Sequence, residues 1–267
     1  MAIDKSRRFI TLVRLGYAAR GVTYLLLGFL ALSASGKAME GQNGVFDYIK
    51  TIPLGTPLLW LIAIGLGAYA LFKLIAGATN IENHADDAKG IAKRVGELAS
   101  GIVHVFLAYA AYTFATGGEA QGGSAQSMVE PVMDVMLGEM LLGLGGAGML
   151  VAAGMQAKSA FSASFMRDID GRAPRAVEPI GRAGHAARAV VFAVIGWSLV
   201  RAAWFESEGA VKGLGEALLT LRDLGVVYTL VALGLLLFGA FSLVTARYRI
   251  IPDIRRGDLQ PAIPHRR

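Results

Sequence analysis

The chain has 267 residues, of which 54% are hydrophobic and 17% charged, with 26 Lys and Arg against 20 Asp and Glu and a net charge of +6; its mean hydropathy is +0.51. That balance is displaced from soluble norms toward the membrane, and the basic residues fall in loop clusters between apolar runs without a recognition helix, which argues against a nucleic-acid partner. The absence of cysteine excludes disulfides, thiolate metal sites, iron–sulfur clusters and c-type haem attachment.

Lys5, Arg7 and Arg8 precede an apolar run that ends near Leu32-Ser33-Ala34-Ser35, a pattern shared with secretory signal peptides. The stretch from Arg14 to Gly28 nevertheless recurs at Arg94 to Ala108 and at Arg182 to Gly196. Each copy opens Arg-x-Gly. A signal peptide would not be repeated downstream, so the first segment is expected to be a retained helix.

A membrane-spanning helix needs about 20 apolar residues at a rise of about 1.5 Å each. The uncharged runs are Gly21 to Gly36, Thr51 to Phe72, Leu98 to Gly118, Met140 to Ala157, Ala189 to Val200 and Leu224 to Ala246. Six spans are therefore expected. The short fifth run is flanked by Arg188 and Arg201, whose charges can snorkel to either interface and extend it.

The second helix of each pair shares a frame. Gly65, Gly148 and Gly234 are followed four residues later by Tyr69, Ala152 and Phe238, and eight later by Lys73, Gln156 and Ser242. These spacings lie close to one helix face. The chain thus divides into three two-helix repeats, about residues 10–80, 90–160 and 178–248, followed by a tail at 249–267. Small-residue pairs four apart, such as Ala63 and Gly67, Gly143 and Ala147, or Gly148 and Ala152, are expected at helix contacts. On that reading Gly65, Gly148 and Gly234 are packing residues, and Gly148→Leu should weaken the fold more than Leu150→Ala.

Lys and Arg count 21 at the ends of the runs that join the repeats and include both termini, against five in the other connections. The positive-inside rule then puts both termini in the cytoplasm. With an even number of crossings per unit, the three repeats are parallel, and a pseudo-threefold bundle in one membrane domain is the expected fold. In the outer connections, residues 45–52 and 214–221 place apolar residues three and four apart. Short amphipathic helices on the outer surface and ordinary ordered loops fit equally.

Taken together, the Arg-x-Gly-x-x-Ala-Arg-Gly entry (Arg14 to Gly21), the Gly-x-x-x-Tyr second helix (Gly65 to Tyr69) and the threefold duplication resemble a bacterial integral-membrane family known as domain of unknown function 1206. The resemblance covers nearly the whole chain. It implies a six-helix protein of the bacterial inner membrane and supplies no catalytic residues. The second copy departs most, with Ser100 where the others have Arg and Ala152 where the first has Tyr.

Arg14, Arg20, Arg94, Arg182 and Arg188 are candidates for a cytoplasmic basic rim, serving as topology anchors or as a surface for anionic lipid or an acidic partner. His104, Lys73 and Gln156 are candidate intramembrane polar residues. A b-type haem on His104 would need an axial partner, and His185, at the position of Tyr17 and Glu97, is a poor match in depth; His84 and His265 lie in loops. No cofactor or metal is expected. Gly143 to Gly148 is glycine-rich but lies inside an apolar run, without the lysine of a phosphate-binding loop, and no nucleophile elbow is present. The expected role is non-enzymatic, with lipid, a membrane-protein partner or a second copy of the chain as ligand; a small transporter or channel is the alternative.

Overall fold

The computed structural model describes residues 5–33, 42–80, 82, 84–118, 138–205, 211–212 and 214–250. Eight α-helices are found there: α1 (Lys5–Ser33), α2 (Gln42–Thr51), α3 (Gly55–Thr79), α4 (Ala88–Ala115), α5 (Gly138–Ser162), α6 (Val177–Phe205), α7 (Leu214–Thr220) and α8 (Val226–Tyr248). Six of them, all but α2 and α7, are long and apolar enough to cross a membrane. Their outward faces carry Leu61, Ile64, Leu71, Ile102, Phe106, Leu144, Val151 and Leu233 in exposed positions. An apolar surface around an apolar core suits a helix bundle solvated by lipid. Trp60, Tyr112 and Trp204 are exposed toward the helix ends remote from the chain termini, the depth at which aromatic belts form.

The run beginning at Thr51 is divided. Helix α2 ends there, Leu54 adopts a left-handed backbone (φ 63°), and α3 starts at Gly55, where a Cβ would lie 1.8 Å from the Ile49 carbonyl oxygen. The corner is therefore closed to any residue but glycine. Both amphipathic patterns of the outer connections are helices, and they pack rather than float. Val45, Phe46 and Ile49 of α2 and Ala217 and Leu218 of α7 join the main core, capping the bundle at the end opposite the termini. The outer connection of the second repeat, 119–137, lies outside the described residues.

The most extensive helix contacts join α1 to α8, α3 to α4 and α5 to α6, and each of these unites two different repeats. All three use one register. A Cβ on Gly28 would meet Leu236 N at 2.6 Å and Ala232 O at 2.8 Å; on Gly196 it would meet Leu150 N at 2.9 Å and Gly146 O at 3.0 Å; and Ala108 packs its Cβ 4.0 Å from the space beside Gly67. These residues occupy corresponding positions in the three copies, so the pseudo-threefold relation holds at residue level. Small side chains are what permit the approach.

Within repeats the symmetry breaks. Helices α1 and α3 pack together, as do α6 and α8, but no substantial contact joins α4 to α5. Successive spans contact one another in sequence order and α8 returns to α1, which leaves α4 and α5 as the one pair of successive spans without substantial contact, an open seam. In the first repeat a Cβ on Gly16 would lie 2.7 Å from the Tyr69 Cβ and one on Gly65 2.6 Å from the Ala19 Cβ; in the third, a Cβ on Gly184 would lie 2.8 Å from the Phe238 Cβ and one on Gly234 would collide with Ala187. In the second, a Cβ on Gly96 or Gly148 would meet nothing within 4 Å. Gly148 is thus corrected: it shares the frame of Gly65 and Gly234, but no helix among the described residues packs against it. Elsewhere on α5 glycines do pack: a Cβ on Gly146 would meet Val200 N at 2.8 Å, and one on Gly143 would meet the Ala203 Cβ at 3.5 Å.

Candidate functional site

The shared frame of the second helices places Lys73, Gln156 and Ser242 at the end of the bundle that carries both termini, facing the next repeat. Opposite them stand Glu97, His185 and Tyr17. Lys73 Nζ lies 3.6 Å from Glu97 Oε1, Gln156 is hydrogen-bonded to His185 Nδ1, and beside Tyr17 the Arg20 guanidinium donates to Ser242 Oγ at 3.3 Å. A polar contact therefore closes each of the three junctions between repeats, below the small-residue contacts, and in the third it comes from Arg20, three residues beyond Tyr17.

The junction of α3 and α4 carries the densest charge. Glu82, in the loop between them, accepts from Arg249 Nη2 at 2.8 Å and lies 3.9 Å from Lys73 Nζ; His84 Nε2 lies 3.2 Å from Glu97 Oε1. Burial alone would raise the Glu82 carboxyl above its ordinary 4.5, but Lys73 and Arg249 outweigh it and hold the group at about 2. Asp168 adds a second carboxylate to Arg249, at 3.5 Å. The backbone fixes this meeting: Asp170 N–H donates to Tyr248 O at 2.8 Å and Ile250 N–H to Asp168 O at 2.9 Å, tying the end of α8 to the loop between α5 and α6. Arg249, first residue of the segment read as a tail, is thereby drawn over Tyr17, 5.3 Å from its ring centroid.

Glu82, His84 and Glu97 bring three ligand-type atoms within 4.8 Å of one another, a separation a divalent ion could bridge. Lys73 and Arg249 already sit on these carboxylates, so a dication would be repelled by two fixed cations at close range. The cluster acts as a near-neutral latch between the first two repeats and the end of the third. Sequence reasoning missed Glu82, His84 and Arg249 as a group. The available signal was the alignment of Glu97 with Tyr17 and His185, which faces the Lys73 frame across each junction.

The five arginines of the expected rim separate into two kinds. Arg94 donates to the Gly77 and Ala78 carbonyls at 3.0 and 3.1 Å, and Arg182 donates to the Ala160 carbonyl at 3.1 Å. Each caps the C-terminal end of the preceding helix across a junction between repeats, where orphan carbonyls and the helix dipole favour a cation. Arg14 is exposed. Arg20 and Arg188 are corrected: they lie inside the ring rather than on a rim. Arg20 donates to Tyr69 Oη at 2.7 Å, and both guanidiniums face the ring of Phe238, at 5.2 and 4.5 Å from its centroid. The helices continue well below them, because α1 starts at Lys5 and α6 at Val177. His104 points its Nδ1 at the Ser100 carbonyl, 2.7 Å away within its own helix, and its ring packs 4.5 Å from that of Tyr69.

Fold and site together define a multi-pass α-helical membrane protein built from three parallel two-helix repeats around an arginine- and aromatic-lined interior. The chain belongs to the family described as Domain of Unknown Function (DUF1206), which matches it three times, at residues 15–80, 95–163 and 183–249. A similar protein is the "Uncharacterized protein YxxB" of Bacillus subtilis (strain 168), 30% identical over 247 residues that cover 88% of this chain and 90% of the relative. No solved structure matches the chain.

Proposed function

We propose that the protein is a non-enzymatic accessory protein of the bacterial inner membrane, with both termini in the cytoplasm, that binds lipid or a transmembrane partner along the seam between α4 and α5. One observation carries this reading. The second repeat keeps the small residues that interlock the other two, Gly96 and Gly148, yet both face open space, while their counterparts Gly16, Gly65, Gly184 and Gly234 are all engaged. A groove made for close helix or acyl-chain approach is left for a ligand outside the pair. Transport finds less support, because at the level of Arg20 and Arg188 the interior is packed with the rings of Tyr24, Tyr69 and Phe238.

Mild extraction followed by native mass spectrometry tests the seam. The wild type should retain a lipid or polypeptide companion that Gly96→Leu and Gly148→Leu lose, with no drop in the melting temperature of the delipidated protein; companions retained unchanged by both variants would refute it. The orientation rests on the Lys and Arg bias. Arg20, Lys73 and Arg188 lie inside the bundle, and setting them aside still leaves 18 against five. A reporter fused after Arg267 should read cytoplasmic and one inserted near Gly122 external, and the reverse pattern would invert the topology.

A further inference from the structure

We propose that Arg20 and Arg188 together bind an oxyanion of the phosphate class inside the ring of helices. The two residues occupy the same position in the first and third repeats, ten or so residues into spans that begin at Ile10 and Val177. Their charges share one wall, since both guanidiniums lie against the Phe238 ring. Arg20 is further bounded by Tyr17 and Tyr69 and Arg188 by Tyr24 and Phe192. Aromatic faces attract a cation but do not neutralise it.

Among the described residues neither arginine forms an ion pair. At this end of the bundle Glu82, in the loop after α3, and Glu97, on α4, are engaged by Lys73, His84 and Arg249, and Asp168 by Arg249. The Nε atoms of both Arg20 and Arg188 are sealed from solvent without a hydrogen-bond partner. Two like charges set against one ring in a low-dielectric interior are destabilising unless a counter-charge joins them. The rest of the interior shows that this fold supplies such partners where it needs them, as at Lys73. Here it supplies hydroxyls and rings instead, and a guanidinium fork with free N–H groups matches a phosphate oxygen pair.

The third position of the set carries smaller side chains. Where the other repeats present Arg, the second presents Ser100, and where they present Tyr69 and Phe238 it presents Ala152. Ser100 lies on α4 and Ala152 on α5, the two helices that leave the seam open. A headgroup phosphate can enter there with its acyl chains left in the bilayer, and an inorganic anion can enter by the same opening. The inference deepens the binding reading above and rests on it for the route of entry, while the site itself rests on the arginines alone.

The test uses the full chain, delipidated in a nonionic detergent. Phosphatidylglycerol, phosphatidylcholine and inorganic phosphate are added in separate arms, with melting temperature and lipid retained in native mass spectrometry as readouts. Phosphatidylglycerol should raise the wild-type melting temperature and phosphatidylcholine should not; an equal rise from phosphate alone would identify a free anion as the ligand. Arg188→Gln and the double variant Arg20→Gln/Arg188→Gln should weaken anion binding about tenfold or more, whereas the exposed Arg167→Gln and Arg172→Gln should not change it. Arg188→Gln should also melt higher than the wild type when both are free of anion, since it removes one of two unpaired charges; a side chain with a merely structural role would give the opposite. Should the double variant fail to fold, Arg188→Lys, which keeps charge and loses the fork, should still bind more weakly. Equal anion binding by wild type and Arg188→Gln overturns the site. If Gly148→Leu abolishes lipid retention while Arg188→Gln does not, the seam stands and the anion site falls; the converse keeps the site and removes the seam.

Discussion

Gly239→Leu should abolish most of the protein's stability, and Gly148→Leu should leave it unchanged. A Cβ at Gly239 would lie 2.5 Å from Leu25 N and 2.8 Å from Gly21 O, so a larger side chain meets the backbone of α1 and cannot be accommodated by a rotamer change. The contact it opens, α1 with α8, joins the first repeat to the third and has no substitute. Over-packing of a core costs about 1–3 kcal/mol and occasionally more, and a backbone-to-backbone contact belongs at or above the upper end. At Gly148 nothing lies within 4 Å, and a substitution facing open space changes stability by no more than about 0.5 kcal/mol. Thermal unfolding of the two variants in one detergent checks the pair. Equal melting temperatures would contradict the open seam.

Lys73→Met should be the most damaging change among the polar residues. It removes the shared cation of Glu82 and Glu97, whose side chains are only 15% and 10% exposed, and leaving a buried charge without its partner costs about 3–5 kcal/mol. Adding Glu97→Gln should recover much of the loss, because the orphaned carboxylate is then neutral. The pH dependence identifies the mechanism. Glu82 is held at about 2, below its ordinary 4.5, so its ionised form contributes stability that is complete above about 4.5 and is lost as pH falls toward 2. Lys73→Met removes part of what holds it down, so in that variant the loss should still begin near 4.5 but be smaller and be complete at a higher pH. The difference between each protein and its Glu82→Gln counterpart, followed from pH 2 to 5, isolates this group. A flat difference in the wild type would show that Glu82 is not held by the cluster.

Much of this molecule is legible in one dimension. Lipid demands long uncharged helices, so hydropathy alone locates six spans, and duplication of an Arg-x-Gly entry exposes three repeats. The second-helix frame of Gly65, Gly148 and Gly234 is equally visible, because helical periodicity places those residues and Lys73, Gln156 and Ser242 on one face. Periodicity does not say what that face meets. Gly65 meets Ala19, Gly234 meets Ala187 and Gly148 meets nothing, although the three look alike in sequence. Depth is misjudged for a related reason. Arg20 and Arg188 stand beside long apolar runs and count as topology anchors, but the helices extend a further two turns or more beyond them and carry them inside the ring.

By itself, the sequence determined the membrane class, the number of spans, the threefold duplication and the odd composition of the second copy at Ser100 and Ala152, because each depends on residue type and spacing along a helix. Only the tertiary structure decided which helices pair across repeats, which seam stays open, that Glu82, His84 and Arg249 converge on Lys73 and Glu97, and that two arginines share one wall with no carboxylate paired to either among the described residues. Those properties depend on groups far apart in the chain. Whether a small residue is a contact or a vacancy, and whether a charge is paired or bare, is settled by which neighbour arrives opposite it.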